Sequence, residues 1–297
     1  MKLKLEGVIS AMMTPFTKGG EFVDFDKVGP LAERLVKQGA KGLFPCGTTG
    51  EGMLLSTEER KTVAEEVVAA VGKKAKVLPQ TGCLDTATTV ELTRHARDIG
   101  AAGAAVVTPF YYAYDDASLM QYYTTIAKAV PGFPLLVYNI PSCARNTITP
   151  EFLARLVEKN DNIVGIKDSM GSMVALTQML AIMPAGFNVI NGVDEYGFQA
   201  ILAGCPAAVS GLSNVVCEIY VAVFNHLAKG DLKKAWKEQL RLARAATIFE
   251  YGRKAAMFKE GSRLRGFDAG HVRPPMRDLT AAELKKLAKD MEELGVL

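Results

Sequence analysis

The stretch Ile163-Val164-Gly165-Ile166-Lys167-Asp168-Ser169 carries the strongest structural signal in this sequence. Its β-branched apolar run, bounded by Asn162 and Gly171, predicts a strand that is buried on both faces. Lys167 follows the run directly, where burial disfavours a charged ammonium group. A neutral amine can attack a carbonyl carbon and form a Schiff base. The alternative is a lysine that extends out of the strand end to pair with Asp168, and this segment alone leaves both interpretations open.

Short apolar runs of this kind recur along the chain and are separated by glycine, proline or helical stretches. The runs are Val8–Met13, Gly42–Cys46, Lys76–Gln80, Ala104–Thr108, Leu135–Tyr138, Ile163–Ile166, Asn188–Ile190 and Ala207–Ser210. Stretches such as Thr57–Val71 have apolar residues at three- and four-residue spacing, which predicts helices between the strands. Strands that alternate with helices pair in parallel through right-handed crossovers. The spacing therefore predicts an α/β fold, a (β/α)8 TIM barrel in preference to an open doubly wound sheet.

The last part of the chain has a different pattern from the barrel. Residues 231–297 contain no strand candidate, and their helical stretches are Leu232–Phe249, Gly252–Glu260 and Ala281–Glu293. We expect residues 1–230 to form the barrel that carries the active site. Residues 231–297 are expected to form a C-terminal helical bundle packed on that barrel.

Composition and residue spacing exclude several classes of protein. The basic residues are dispersed, and the net charge is only +3, so no nucleic-acid partner is expected. Met1–Glu6 lacks the apolar region of a signal peptide, and no apolar run is long enough to span a membrane. The five cysteines form no CxxC pair, which predicts reduced thiols and a cytoplasmic protein. No metal-binding histidine motif or phosphate loop is present, so we expect neither a metal nor another cofactor.

A glycine-rich turn follows the second predicted strand. Active sites of such barrels lie at the C-terminal ends of the strands, and Gly47-Thr48-Thr49-Gly50-Glu51 lies at one of these ends. The flanking glycines let backbone N–H groups and the two threonine hydroxyls converge on a small anion such as a carboxylate. An ordinary surface turn is the alternative.

Tyr138 ends the fifth predicted strand as Lys167 ends the sixth. Adjacent parallel strands lie about 5 Å apart, so the phenol and the amine are expected at the same mouth. A tyrosine beside a Schiff-base lysine can move the protons that carbinolamine formation and collapse require. The alternative for Tyr138 is an amphipathic residue at the barrel rim.

Three of these motifs together resemble one family. Gly47-Thr48-Thr49-Gly50-Glu51, Tyr138-Asn139-Ile140-Pro141 and Gly165-Ile166-Lys167-Asp168 are similar, in order and spacing, to the motifs of the dihydrodipicolinate synthase / N-acetylneuraminate lyase family. The resemblance runs from about Gly7 to the C-terminus. It implies a class I, pyruvate-dependent aldolase or lyase on a TIM barrel, without a metal or organic cofactor.

The resemblance also implies roles for individual residues. Lys167 would form the imine with pyruvate, and Tyr138 would relay protons. Gly47, Thr48 and Thr49 would bind the pyruvate carboxylate, and Ser169 is a further candidate for substrate binding. The segment Thr108–Tyr112 is similar to one whose tyrosine, here Tyr111, reaches into a neighbouring subunit's site. It therefore implies a homodimer or homotetramer.

The motifs disagree about the second substrate. Dihydrodipicolinate synthases usually have an arginine two residues after the proline of the Tyr-Asn-x-Pro motif, where this chain has Cys143; Arg145 lies two residues further on. In contrast, Asn191-Gly192-Val193-Asp194-Glu195 resembles the segment of N-acetylneuraminate lyases whose acidic pair binds hydroxyl groups. Asp194 and Glu195 could equally be acidic residues of a helical first turn. Ser210 ends the eighth predicted strand, near the place where those lyases have a substrate-facing serine.

These observations favour a Schiff-base pyruvate aldolase or lyase that acts on a 2-oxo-3-deoxy acid, of the N-acetylneuraminate lyase or 2-oxo-3-deoxygluconate aldolase type. Within the same family, dihydrodipicolinate synthase, with pyruvate and aspartate semialdehyde as substrates, is the closest alternative. A sugar-acid dehydratase on the same scaffold is another. A non-catalytic protein that binds a keto acid belongs to a different class, and simple binding has no need of a buried amine.

Overall fold

A computed structural model describes residues 3–249 and 254–297. Its eight parallel strands form one sheet in the order β3-β2-β1-β8-β7-β6-β5-β4. The strands are β1 (Gly7–Ser10), β2 (Gly42–Leu43), β3 (Lys76–Val77), β4 (Ala104–Val107), β5 (Leu135–Asn139), β6 (Ile163–Asp168), β7 (Asn188–Asn191) and β8 (Ala207–Ser210). Beyond β3, a parallel bridge joins Gln80 to Ala105 in β4. Ala105 N also donates to the Pro79 carbonyl at 2.9 Å, which closes the sheet into a barrel and confirms the predicted fold.

Helices connect the strands and extend beyond the last one. They are α1 (Val28–Lys37), α2 (Thr57–Val71), α3 (Thr86–Asp98), α4 (Asp116–Ala129), α5 (Pro141–Ala144), α6 (Pro150–Lys159), α7 (Met173–Ile182), α8 (Gly197–Ala203), α9 (Ser213–Ala228), α10 (Leu232–Phe249), α11 (Lys254–Leu264) and α12 (Ala281–Leu294). Ser56 caps α2 through a reciprocal pair of hydrogen bonds with Glu59, at 3.2 and 2.8 Å. Short 3-10 turns cover Phe25–Lys27, Gly52–Leu54 and Asp194–Tyr196.

Every predicted apolar run contains a strand, but the boundaries differ. The predicted strand Gly42–Cys46 is too long, because the regular ladder ends at Leu43. Pro45 has no N–H to donate, and Cys46 has a φ of 60°, so the chain leaves the strand conformation here. Strand β6 is longer than its apolar run and includes both Lys167 and Asp168.

The C-terminal helices share a hydrophobic core with the barrel. Ile219 of α9 belongs to one buried cluster with Leu242 of α10, Met257 of α11 and Leu287 of α12. A separate cluster, which includes Ile9 and Leu136, fills the barrel. The predicted start of the second C-terminal helix, Gly252, lies outside the described residues. None of the helices described combines the length and hydropathy needed to cross a bilayer.

Candidate active site

Lys167 lies inside the barrel at the C-terminal end of β6. It pairs in register with Tyr138 of β5, and its side chain is only 4% exposed. Its Nζ lies 3.9 Å from the centroid of the Tyr138 ring and 4.5 Å from that of Phe44. Within the described residues, the amine has no ion-pair partner. The alternative in which Lys167 extends outward to pair with Asp168 is therefore wrong.

Asp168 occupies the opposite face of β6 because successive side chains alternate along a strand. Its Oδ1 accepts a 2.7 Å hydrogen bond from Asn139 Nδ2, and burial raises the pKa of its carboxyl group. Asn139 Oδ1 in turn accepts from the N–H of Ile148 at 3.0 Å. These contacts tie β5 to β6 directly behind Tyr138 and Lys167. Sequence reasoning missed this pair, although strand alternation places it one residue after each of the two candidates.

The turn of residues 47–51 lies beside the Tyr138 phenol. Tyr138 OH and Thr48 Oγ1 are hydrogen-bonded at 3.2 Å. Glu51 N donates to the Thr48 carbonyl at 3.1 Å, which closes the turn on itself. By contrast, the N–H groups of Thr48 and Thr49 make no hydrogen bond within the part of the chain that the structure describes. The two N–H groups and the Thr49 hydroxyl thus have no partner among these residues, and the expected binding of an anion here stays a prediction.

Glycine is required where the turn packs against the end of β1. A Cβ atom at Gly50 would lie 2.7 Å from the carbonyl oxygen of Met12. The Gly50 carbonyl also accepts a 2.7 Å hydrogen bond from Thr14. This close approach brings the two threonines over the mouth of the barrel, whereas Gly47 is buried against the Phe44 ring beneath them.

Asp194 begins the short 3-10 turn that follows β7, on the other side of the mouth. Its Oδ2 accepts from the N–H of Leu212 at 3.4 Å, whereas its Oδ1 is buried and has no partner among the described residues. Burial raises the pKa of Asp194 to about 7, and the nearby Ser210 hydroxyl opposes the shift. Glu195 is exposed. Ser210 itself is fully buried, and its Oγ accepts from the N–H of Ser213 at 3.1 Å.

Because Gly192 has no side chain, it leaves room for Ser169 and Lys167 below it. A Cβ atom there would lie 2.1 Å from Ser169 Oγ and 3.2 Å from Lys167 Cε. Ser169 Oγ donates to the Gly192 carbonyl at 3.3 Å. Any side chain at position 192 would therefore clash with Ser169 and crowd the lysine.

A cavity of about 270 Å³ joins these groups. The predicted site residues that line it are Thr48, Thr49, Tyr138, Lys167, Ser169, Gly192, Asp194 and Glu195. Gly47, Ser210 and Tyr111 are not among the lining residues. Tyr111 is 72% exposed and contacts the ring of Tyr112, with centroids 4.9 Å apart. Its expected contact with a neighbouring subunit's site stays a prediction.

The C-terminal helices complete the cavity wall. Ala246 and Phe249 of α10 and Phe258 of α11 line the cavity opposite the strands. Sequence reasoning missed all three, because they lie in ordinary helical patterns far along the chain from the motifs. Ile140 and Ser142, which follow β5, also contribute to the lining.

The cavity contains one basic and two acidic side chains. Among the described residues that line it, Lys167 is the basic one, and Asp194 and Glu195 are the acidic ones. Cys143 and Arg145 are both exposed and lie outside the lining. Within the same part of the chain, no cluster of three histidine, cysteine or acidic side chains could hold a metal ion. The expectation of a reaction without a cofactor stays a prediction.

Sequence comparison identifies relatives over nearly the whole chain. The model of the dihydrodipicolinate synthetase family matches residues 4–294. An uncharacterized DapA-like lyase of Halobacterium salinarum is 35% identical over 99% of this chain and 96% of its own. A 4-hydroxy-tetrahydrodipicolinate synthase of Syntrophus aciditrophicus is 33% identical, over 98% of this chain and 99% of its own.

Solved structures of the same family superpose closely on this one. A prophage protein of the dihydrodipicolinic acid synthase family from E. coli K12, in complex with pyruvate, has a TM-score of 0.94 and 29% identity, over 99% of both chains. Dihydrodipicolinate synthase from Aquifex aeolicus has a TM-score of 0.92 and 28% identity, over 98% of this chain and 99% of its own.

Proposed function

The chain belongs to the dihydrodipicolinate synthetase family of Schiff-base-forming class I lyases, and we propose that it acts on a 2-oxo-3-deoxy acid, which it cleaves to pyruvate and an aldehyde or forms from them. The observation that carries the proposal is the charge pattern of the cavity. A buried lysine amine lies beside a phenol on one side, and two carboxylates lie on the other. Carboxylates accept hydrogen bonds from hydroxyl groups, whereas they repel an acceptor that carries its own carboxylate.

In the proposed reaction, the substrate's carboxylate binds at the N–H and hydroxyl groups of Thr48 and Thr49. The Lys167 amine attacks C2, and the resulting carbinolamine loses water to give an imine. Tyr138, hydrogen-bonded to Thr48 at 3.2 Å, moves the proton that this step requires. The C4 hydroxyl then passes its proton to the Tyr138 oxygen, the C3–C4 bond breaks, and its electrons form an enamine while the aldehyde leaves. Protonation at C3 and hydrolysis of the imine release pyruvate and free Lys167.

The acceptor half of the site supports the choice of substrate. Asp194 and Glu195 would bind the hydroxyls of the sugar chain, and Gly192 would leave room for it. Aspartate semialdehyde, the acceptor of a dihydrodipicolinate synthase, would need a cation, and no arginine of the described residues lines the cavity. We further propose a homodimer or homotetramer in which Tyr111 completes the site of a neighbouring subunit. A cytoplasmic location stays a prediction from the scattered cysteines, all five of which are free.

Borohydride trapping tests the covalent step. Reduction in the presence of pyruvate should add one pyruvate-derived mass per chain, and peptide mapping should place it on Lys167. Lys167→Ala should abolish the adduct, whereas Lys159→Ala, which removes an exposed lysine on α6, should not. An undiminished adduct in Lys167→Ala would refute the assignment.

A comparison of kcat/KM values tests the substrate. Cleavage of 2-oxo-3-deoxygluconate and N-acetylneuraminate would be measured against condensation of pyruvate with aspartate semialdehyde. Loss of a charge-assisted pair to the semialdehyde carboxylate should cost that substrate roughly ten- to a hundredfold. Efficient turnover of the semialdehyde alone would support the dihydrodipicolinate synthase alternative. Release of water with an intact carbon chain would support the dehydratase.

A further inference from the structure

A second buried lysine lies just outside the cavity, on α11. Lys259 Nζ donates to Glu51 Oε1 at 2.6 Å, and the two side chains are 2% and 0% exposed. The same amine donates to the His271 carbonyl and lies 4.5 Å from the centroid of the Phe16 ring. Burial lowers the pKa of Lys259 to about 8, and the attraction of Glu51 opposes the shift. Because charged groups are costly to bury, a buried ion pair at this place indicates a function other than stability.

The partner of this lysine is the last residue of the turn that holds the two threonines. Glu51 has a φ of 54°, a left-handed conformation that strains residues other than glycine. Its backbone N–H donates to the Thr48 carbonyl and closes the turn. Its second carboxylate oxygen accepts from the N–H of Arg273 at 2.9 Å. Both oxygens of Glu51 are therefore held by the C-terminal part of the chain, which keeps a strained residue in place.

We propose that Lys259 is a positioning residue, which acts through Glu51 to hold the Thr48–Thr49 turn in the shape that binds the pyruvate carboxylate. The inference rests on the proposed function, since that function assigns carboxylate binding to the turn. Helix α11 also reaches the cavity directly, because Phe258, the neighbour of Lys259, lines it. A Cβ atom at Gly211 would lie 3.2 Å from Thr49 Oγ1 and 3.3 Å from the Phe258 ring, so the turn and α11 enclose the same space.

The variant Lys259→Met tests the proposal. It keeps the length of the side chain but leaves Glu51 without its cation. The pyruvate concentration for half-maximal borohydride adduct should rise roughly 10- to 100-fold, because misplacement of a binding group by about 1 Å can cost that much. The adduct rate at saturating pyruvate should change less than about threefold, because Lys167 and Tyr138 are untouched. A matched control is Lys27→Met, which removes a lysine that pairs with Asp268 in the C-terminal part at 2.8 Å. It should leave the half-maximal concentration unchanged.

A double variant separates positioning from stability. Glu51→Gln combined with Lys259→Met removes both buried charges, so the unfolding midpoint should recover relative to Lys259→Met alone. The half-maximal pyruvate concentration should stay raised, because the turn has still lost its anchor. If the half-maximal pyruvate concentration and the unfolding midpoint both return to their wild-type values, the two charges only offset the cost of burying each other. The inference is then wrong.

Hydrogen exchange gives a readout that does not depend on pyruvate. In Lys259→Met, amides of residues 47–52 should exchange roughly tenfold or more faster than in wild type and in Lys27→Met, because their anchor is lost. Unchanged exchange in this segment would overturn the inference whether or not the protein binds pyruvate. If the wild-type protein forms no pyruvate adduct, the proposed function fails instead, and the exchange rates alone decide whether Lys259 holds the turn.

Discussion

At the scale of single residues, Tyr138 and Thr48 are hydrogen-bonded to each other but have different proposed roles. One variant of each residue separates proton transfer from pyruvate binding. Tyr138→Phe removes the phenol hydroxyl but keeps the ring that packs 5.6 Å from Phe44, centroid to centroid. We expect turnover to fall roughly 10²–10⁴-fold, the scale for a positioned acid–base group, with pyruvate binding nearly intact. Thr48→Val should mainly raise the pyruvate KM, because a carboxylate contact is lost. Normal turnover in Tyr138→Phe would make the tyrosine a rim residue.

The raised pKa of Asp194 predicts how the free energy of unfolding depends on pH. Because burial raises its pKa to about 7 from 3.8, the folded protein retains a proton that the unfolded chain releases near pH 3.8. The stability from this group is therefore full below about pH 4 and is lost as pH rises through about 7. Asp194→Asn removes this loss. Between pH 4 and pH 8, we expect its free energy of unfolding to fall less than that of wild type, by about 1–3 kcal/mol.

Urea unfolding at the two pH values measures this difference. Asp161→Asn is the matched control, because Asp161 is an exposed aspartate away from Asp194. Parallel pH dependences for wild type and Asp194→Asn would contradict the prediction.

At the scale of elements, the hydrogen bond between Asn139 and Asp168 ties strands β5 and β6 behind Tyr138 and Lys167. Asn139→Ala leaves the Asp168 carboxylate fully buried without the amide that satisfies its Oδ1, and Oδ2 already lacks a partner among the described residues. We expect a loss of roughly 2–4 kcal/mol in the free energy of unfolding. Ser56→Ala, which removes one helix cap, calibrates the measurement because it should cost only about 1 kcal/mol. Equal losses in the two variants would show that the Asn139–Asp168 hydrogen bond stabilises the fold no more than an ordinary helix cap does.

At the scale of the whole molecule, the exposed Tyr111 bears on assembly. It is 72% exposed, has a φ of 76° and lies next to the exposed Tyr112, which together suit a residue that a neighbouring subunit covers. Sedimentation velocity should therefore give a mass two or four times that of the 32.0 kDa chain.

A mixing experiment tests whether the site is shared between subunits. Lys167→Ala and Tyr111→Ala should each be nearly inactive alone. If Tyr111 acts across an isologous interface, mixed dimers rebuild one intact site, so equal mixing should restore about a quarter of the wild-type activity. Absence of recovery in dimers shown to have exchanged subunits would place Tyr111 outside the neighbour's site.

The sequence by itself determined the barrel and the end of it at which the candidate site residues lie. Runs of apolar residues and helical spacing are local patterns, so they located the eight strands without knowledge of their partners. The barrel rule then placed Lys167, Tyr138 and the Thr48–Thr49 turn at one end. The predicted strand boundaries were wrong where the backbone leaves the extended conformation, as at Cys46 with its positive φ.

Only the tertiary structure decided what surrounds that core. Helices α10 and α11 close the cavity with Phe249 and Phe258, and Lys259 meets Glu51 across 208 residues of sequence. The structure also settled that Lys167 faces inward while Asp168 pairs with Asn139 behind it. Such contacts arise because barrel closure and helix packing bring distant segments together. Local periodicity records which face of an element is buried, but not which residue of another element it will meet.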